Sequence, residues 1–471
     1  MKKYSIFALY LFLGEAVVRL CGFYTNAYLG RVLGPNSYGL ILGGSYFLVF
    51  SLLISDAGLR LLGIVETAKP ESKKLFSFSD IINVRVLHGI LSFIMLSFIA
   101  LVFYNQPDES DIRTICIYYL LNIFFDMLFL DWYFKGLQRF CVITVARIFA
   151  SFLYVLLITV FIKSPDEVNL APIFFFGTNI ISVIFLFVYV PSTGAIYRFG
   201  LSIIKYCATI KHSLPLGIGT LLNQVTIYLP PIILGKLYSE QDVGFYGAAL
   251  KLVMLLMIID KTFSTIFLSS LPRIWNTNKE NAKESLQVLL NCTLCIGFFV
   301  SLLLSLLSAP VITMVFGGKY QNSIPVLSII SWFFTLTMIN SIFAFGLIAI
   351  DEQKRYLKAT VIGFVVNCII IIALIRLYGT YGTAFAVVCG EFIFVLLCHY
   401  EFRKFSSLKF YIPFIKAAAA GAGSWYLSLV ITTNPYIQAG IAGTLFVVLS
   451  AILQIVTKND IRFLVAKWKK N

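Results

Sequence analysis

Residues 4–28 read YSIFALYLFLGEAVVRLCGFYTNAY, a largely apolar run with one acid, Glu15, and one base, Arg19. About 20 apolar residues in a helix cross the hydrocarbon of a bilayer. The run is long enough to do so, and its two charges stand four residues apart near its middle. Lys2 and Lys3 precede it, as in a secretion signal, but no small-residue cleavage site follows before Tyr28. A retained first membrane helix is therefore predicted.

Runs of this kind recur to the end of the chain. Spans are predicted at Tyr4–Tyr28, Leu40–Leu62, Ile82–Tyr104, Ile112–Phe134, Val142–Ile162, Val168–Val190 and Leu214–Gly235. They continue at Gly244–Phe267, Leu286–Ser308, Ile324–Ile350, Tyr356–Arg376, Tyr381–His399, Ile412–Thr432 and Ile437–Val456. The expected class is an all-α integral membrane protein of about 14 transmembrane helices. Composition agrees: 59% of the 471 residues are hydrophobic and 13% charged, against about 25% charged in a soluble domain. The 44 phenylalanines suit lipid-facing helices. A net charge of +15 invites a nucleic-acid partner. The basic residues lie in short clusters between apolar runs rather than along one stripe, which is a topology signal and argues against nucleic acid.

One set of loops holds Lys69, Lys73, Lys74; Lys135, Arg139; Arg198, Lys205, Lys211; Arg273, Lys279, Lys283; Lys354, Arg355, Lys358; and Arg403, Lys404, Lys409. The C-terminal tail adds Lys458, Arg462, Lys467, Lys469 and Lys470. The opposite loops carry few bases and the acids Asp108, Glu109, Asp111, Asp166, Glu167, Glu240 and Asp242. This asymmetry predicts both termini on the cytoplasmic side. No loop is long enough to form a folded extramembrane domain. Two readings stay open for Ala195–Lys211, where Arg198, Lys205 and Lys211 alternate with Ile196, Phe199, Ile203, Ile204 and Ile210. The segment either lies flat on the inner leaflet or is a solvated linker.

An internal repeat divides the chain. Leu29-Gly30-Arg31, closing with Tyr38-Gly39, superposes without a gap on Leu234-Gly235-Lys236, closing with Val243-Gly244, at an offset of 205 residues. Both copies leave the membrane on the same side, as parallel repeats about an axis along the membrane normal do. The expected organisation is an N-terminal lobe over 1–190, a cytoplasmic linker over 191–213, a C-terminal lobe over 214–402, and two further helices with a basic tail over 403–471.

Charges inside spans cost about 2.5–3.5 kcal/mol each at the centre on insertion scales, so they face protein or a watery cavity. Glu15 with Arg19, and Asp56 with Arg60, are spaced for intrahelical ion pairs, acid first. They either neutralise themselves or serve a cavity that needs charge. Arg147, Lys251 and Lys261 lack such local partners, as do Asp126, Asp260 and Glu391. Arg85, His88 and Asp131 lie near enough to the inner interface to snorkel. Candidate cavity cations are Arg19, Arg60, Arg147, Lys251 and Lys261; candidate coupling or counter-ion acids are Glu15, Asp56, Asp126, Asp260 and Glu391. Asn223, Gln224, Pro230 and Pro231 mark the seventh span, where the prolines remove backbone donors and predict either a break lining a cavity or a plain kink.

None of the three histidines has a metal-ligand partner, and no nucleotide-binding or nucleophile motif occurs. Cys292-x-x-Cys295 stands mid-helix without a second pair and reads as apolar filler. No metal and no cofactor are expected, apart from a proton or sodium ion as coupling ion.

Three stretches resemble a known family. Leu29-Gly30-Arg31-Val32-Leu33-Gly34-Pro35-Asn36-Ser37-Tyr38-Gly39 resembles the first outer loop of bacterial polysaccharide flippases, and Asp56-Ala57-Gly58-Leu59 is similar to the end of their second span. Val315-Phe316-Gly317-Gly318-Lys319-Tyr320 resembles another signature of the group. These flippases belong to the multidrug/oligosaccharidyl-lipid/polysaccharide exporter superfamily. The resemblance implies two six-helix lobes around a central cavity, alternating access, and two extra C-terminal helices. It also implies the cargo: an oligosaccharide unit on undecaprenyl diphosphate, moved from the inner to the outer leaflet of the bacterial inner membrane for O-antigen or another surface polysaccharide. The bilayer and other polysaccharide-assembly membrane proteins are the implied neighbours.

The chemistry is consistent, because a diphosphate is a compact anion that Arg and Lys in a low-dielectric cavity stabilise far better than lipid does. A cation-coupled multidrug exporter of the same fold would depend instead on Glu15, Asp56 and Asp260. A membrane polysaccharide polymerase or glycosyltransferase would need a larger outer loop or a catalytic domain than this chain offers.

Overall fold

The structure is a computed structural model that describes residues 2–193, 196–200, 202–406, 408–457 and 460. The side chains of 2–13, 71, 216, 219–220, 223, 262–270, 273–274 and 276 are outside that description. So are Lys458, Arg462, Lys467, Lys469 and Lys470 of the basic tail, Ala195 at the head of the linker, and the Asn223 side chain.

Contacts gather the chain into two compact units, Met1–Gly247 and Ala248–Asn471. The boundary falls near the start of one helix, α10 (Glu240–Thr277). Among the described residues nine α-helices precede it: α1 (Lys2–Asp56), α2 (Leu59–Ala68), α3 (Phe78–Phe103), α4 (Ser110–Leu120), α5 (Asn122–Leu128), α6 (Asp131–Gly136), α7 (Phe140–Phe161), α8 (Leu170–Tyr189) and α9 (Ile203–Leu237). Around α1 pack α7, α4, α9, α3 and α5. The second unit contains α11 (Lys279–Leu306), α12 (Ser308–Phe316), α13 (Ser323–Ala349), α14 (Gln353–Phe402), α15 (Tyr411–Ile431) and α16 (Pro435–Ile452). There α13 packs on α14 and α11, and the last two helices pack on each other and on α11.

Among the described residues, 11 helices are long and apolar enough to cross a membrane. The difference from the expected segments has three sources. Helices α1 and α14 each comprise two of the expected segments and are counted once, although the backbone leaves helical geometry at Gly34 (φ 75°) and Gly379 (φ 55°), inside breaks the sequence predicted. Helix α9 is not among the 11. It also runs unbroken through Pro230 and Pro231, both buried, so of the two predicted alternatives the break does not occur. Elsewhere the ends follow local chemistry. Ser77 and Asp80 form a reciprocal capping box on α3, and Asn278 and Asn434 accept from the first backbone amides of α11 and α16.

The repeated loops meet each other inside the first unit. A Cβ on Gly39 would lie 1.7 Å from the Glu240 carbonyl oxygen, and one on Gly244 would lie 2.0 Å from that of Pro35. The 205-residue offset maps Pro35 onto Glu240 and Gly39 onto Gly244. Each copy's glycine thus presses on the same position of the other copy, as a local two-fold axis requires. Only a residue without Cβ allows two backbones this close.

Candidate functional site

The motif Asp56-Ala57-Gly58-Leu59 ends α1 and starts α2. Ala57 and Gly58 both have left-handed backbones, φ 44° and 81°. A Cβ on Gly58 would lie 2.2 Å from the Ser213 carbonyl oxygen of α9, so the turn needs glycine for its conformation and for that approach. The turn sets Asp56 and Arg60 toward different partners.

Arg85 of α3 donates through Nη1 to Asp56 Oδ1 (2.8 Å) and through Nη2 to Asp126 Oδ2 (3.2 Å) and to the Asp126 carbonyl (2.5 Å). The Arg60 guanidinium bonds Asp126 directly and lies 3.4 Å from Asp131 Oδ1. Lys135 Nζ reaches Asp131 Oδ2 at 2.6 Å. Three cations thus answer three carboxylates across α1, α2, α3, α5 and α6. The expected self-pairing of Asp56 with Arg60 survives only as a bond from the Arg60 backbone N–H to Asp56 Oδ1 (3.0 Å). Snorkelling does not occur at Arg85 or Asp131, whose side chains are 2% and 0% exposed. Burial demands opposite charge beside them: Arg85 finds its acids on other helices, and Asp131 has Lys135 of its own helix besides Arg60 of α2. His88 is held by the Tyr206 hydroxyl at Nδ1 (2.9 Å) and the Ile54 carbonyl at Nε2 (3.2 Å). A carbonyl can only accept, so Nε2 carries the proton and Nδ1 accepts from the tyrosine.

A second charged group in this unit is more open. Glu15 of α1 lies 3.5 Å from Arg19 Nε and 3.9 Å from Arg147 Nη1 of α7. All three side chains are partly exposed, and Arg147 stands 5.8 Å over the Phe129 ring. The structure therefore brings together two of the predicted cavity cations, on different helices, around one carboxylate. Arg60, a third and as exposed as Arg19, belongs to the balanced network with Asp126 and Asp131.

In the second unit Asn340 of α13 donates to Glu391 Oε1 of α14 (2.9 Å), and the neighbouring Ser341 donates to Asp260 Oδ1 of α10 (2.7 Å). Glu391 is buried. Lys251 is half-buried and Lys261 exposed, while Gln224 in the first unit is half-buried. Sequence reading singled out neither Asn340 nor Ser341, since neutral polar residues inside apolar runs give no signal until a partner helix is known. Lys135 was likewise read only as a loop charge.

Outside the spans, Glu66 at the end of α2 folds the following loop back. It accepts from Lys69 Nζ (2.5 Å) and from the amides of Leu75 (2.7 Å) and Phe76 (3.3 Å). Burial pushes its carboxyl up, but these donors and the Lys69 charge outweigh burial and hold it below the usual carboxylate range.

The comparisons with known proteins follow the same lines. A family model described as polysaccharide biosynthesis protein matches residues 8–277. The chain is 21% identical over 379 residues to a protein of Escherichia coli (strain K12) named "Putative O-antigen transporter", covering 78% of this chain and 89% of that one. Among solved structures it resembles the lipid II flippase MurJ in an inward closed conformation, with a TM-score of 0.74 at 14% identity over 94% of this chain and 98% of that one. It also resembles an inward-facing multidrug resistance MATE family transporter of the MOP superfamily, with a TM-score of 0.64 at 13% identity over 83% and 97%. Those likenesses confirm the all-helical fold, and the candidate spans with the family match make it a multi-pass membrane protein. The chain belongs to the polysaccharide biosynthesis protein family, whose model matches more than half of it.

Proposed function

We propose that this protein flips undecaprenyl-diphosphate-linked oligosaccharide units from the inner to the outer leaflet of a bacterial cytoplasmic membrane by alternating access, for O-antigen or a related surface polysaccharide. It does so without covalent chemistry and with both termini in the cytoplasm. The observation that carries this reading is the group of Arg19 and Arg147 around the single carboxylate of Glu15. The two guanidiniums stand beside Glu15 in a partly open setting, and an incoming diphosphate can take hydrogen bonds from both. The buried network cannot serve in this way, because its charges already cancel. The O-antigen transporter relative and the MurJ fold support a lipid-linked cargo.

Deleting the gene is the direct test. The proposal predicts that an undecaprenyl-diphosphate-linked oligosaccharide accumulates on the inner leaflet and that surface polysaccharide is lost. Normal polysaccharide with no accumulated intermediate contradicts it.

Coupling to a proton or sodium ion falls, in this reading, to Glu391. Asp56 and Asp126 face arginines, whereas Glu391 accepts its hydrogen bond from a neutral amide. The same acid favours a second reading, a cation-coupled exporter of cationic drugs, as the MATE-like fold allows. Hypersensitivity of the deletion strain to such drugs, with intact surface polysaccharide, selects that reading.

A further inference from the structure

We infer that residues 196–200 and 202–211 form a binding surface for anionic phospholipid headgroups, in the leaflet at the N-terminal end of α3. The segment before α9 is not helical at 196–200, and α3 holds it there through polar side chains. Ser79 Oγ donates to the Ile196 carbonyl (3.2 Å) and accepts from the Arg198 amide (2.9 Å). Asn83 Nδ2 donates to the carbonyls of Arg198 and Gly200, both at 3.1 Å, and Asn83 Oδ1 accepts from the Tyr197 hydroxyl (2.7 Å). Lys205 Nζ then meets Asp80 Oδ1 at 2.7 Å.

The strap's polar backbone is thereby turned inward and its apolar side chains outward. Ile196, Phe199, Ile203 and Ile204 are 72%, 75%, 81% and 83% exposed. Four large apolar side chains so open within nine residues mark a surface that meets something other than water. The depth of the strap identifies the partner. Helix α3 has 26 residues, about 39 Å of helix against about 30 Å of hydrocarbon. The surplus, on the order of 9 Å or six residues, matches the first two turns, where Ser79, Asp80 and Asn83 hold the strap. The strap therefore lies at headgroup level, its apolar side chains directed at the acyl boundary. Arg198, Lys205 and Lys211, all exposed, supply positive charge along the same segment. Apolar anchors interleaved with bases at that depth fit an anionic leaflet.

The test uses the full-length protein with Phe199 or Ile203 replaced by photoreactive p-benzoylphenylalanine. The protein is reconstituted into vesicles of phosphatidylcholine alone or of phosphatidylcholine with phosphatidylglycerol. Irradiation and intact-protein mass spectrometry then read the lipid adducts, with the same probe at lipid-exposed Val430 of α15 as a reference. Adducts are expected at both strap positions, and phosphatidylglycerol should be enriched in them relative to Val430. The Arg198→Gln/Lys211→Gln variant leaves the Lys205–Asp80 pair intact, and in it that enrichment should fall, by a factor of about five per charge removed. Three outcomes overturn the inference: no lipid adduct at either strap position, phosphatidylglycerol enrichment no greater than at Val430, or enrichment unchanged in the double variant. Because no transport is measured, failure here leaves the proposed cargo untouched.

Discussion

Arg85 illustrates how a membrane-buried charge is held. It is enclosed by Asp56, Asp126 and two backbone carbonyls, those of Asp126 and Met127. Removing it leaves Asp56 without its guanidinium and leaves Arg60 alone to neutralise Asp126. Arg85→Ala should therefore lower the unfolding free energy by about 3–5 kcal/mol, the usual effect of breaking one side of a buried pair, as read by denaturant unfolding in detergent. The members of this network were legible as charges inside spans, but their pairing was not. Asp56 and Arg60 are correctly spaced for a helix, but the left-handed turn at Ala57 and Gly58 ends the helix between them and frees Asp56 for α3. Glu66 permits a pH prediction. Its carboxyl is depressed in the folded state, so the stability it contributes is present above the ordinary carboxylate pKa and lost as pH falls through the folded value. Glu66→Gln should be less stable than the parent by about 1–3 kcal/mol near neutral pH, and the difference should vanish in acid. Unfolding curves at several pH values check both statements.

Among elements, the crossing of the two repeated loops depends most on residue size. Gly39 and Gly244 each face a carbonyl of the other copy at a distance that admits no Cβ. Gly39→Val should force the backbones apart and destabilise the protein by at least the 1–3 kcal/mol typical of overpacking. Gly22→Val, at a glycine with open space around it, should have a much smaller effect. A thermal-shift comparison of the two variants decides this. The repeat was legible because both copies keep their two glycines at one offset, although their contact was not, since no pattern within a single copy reports what it touches. The kinks at Gly34 and Gly379 fall in breaks that hydropathy marked, whereas the prolines of α9 did not report that its helix continues through them.

At the scale of the whole molecule, an exporter needs a place where cargo charge is welcome and a group that exchanges an ion. Composition alone made the membrane class legible, and the loop motifs made the family legible. The cargo site was only half legible, because charge inside a span shows expense rather than purpose. Arg60 and Arg147 look alike in sequence, yet one pairs with Asp126 and Asp131 and the other shares Glu15 with Arg19. If Glu391 is the coupling acid, Glu391→Gln should insert and fold but lose any dependence of transport on an imposed proton or sodium gradient. Vesicles with and without that gradient measure it. The most direct measurement concerns the arginines. The parent protein and Arg19→Gln/Arg147→Gln, matched for insertion and unfolding midpoint, are reconstituted and assayed for transbilayer movement of an undecaprenyl-diphosphate-linked oligosaccharide. The double variant should be slower by roughly ten-fold or more per arginine, with partial recovery in Arg19→Lys/Arg147→Lys. A correctly folded double glutamine variant that moves the substrate at the parent rate would contradict the proposed role of these two side chains.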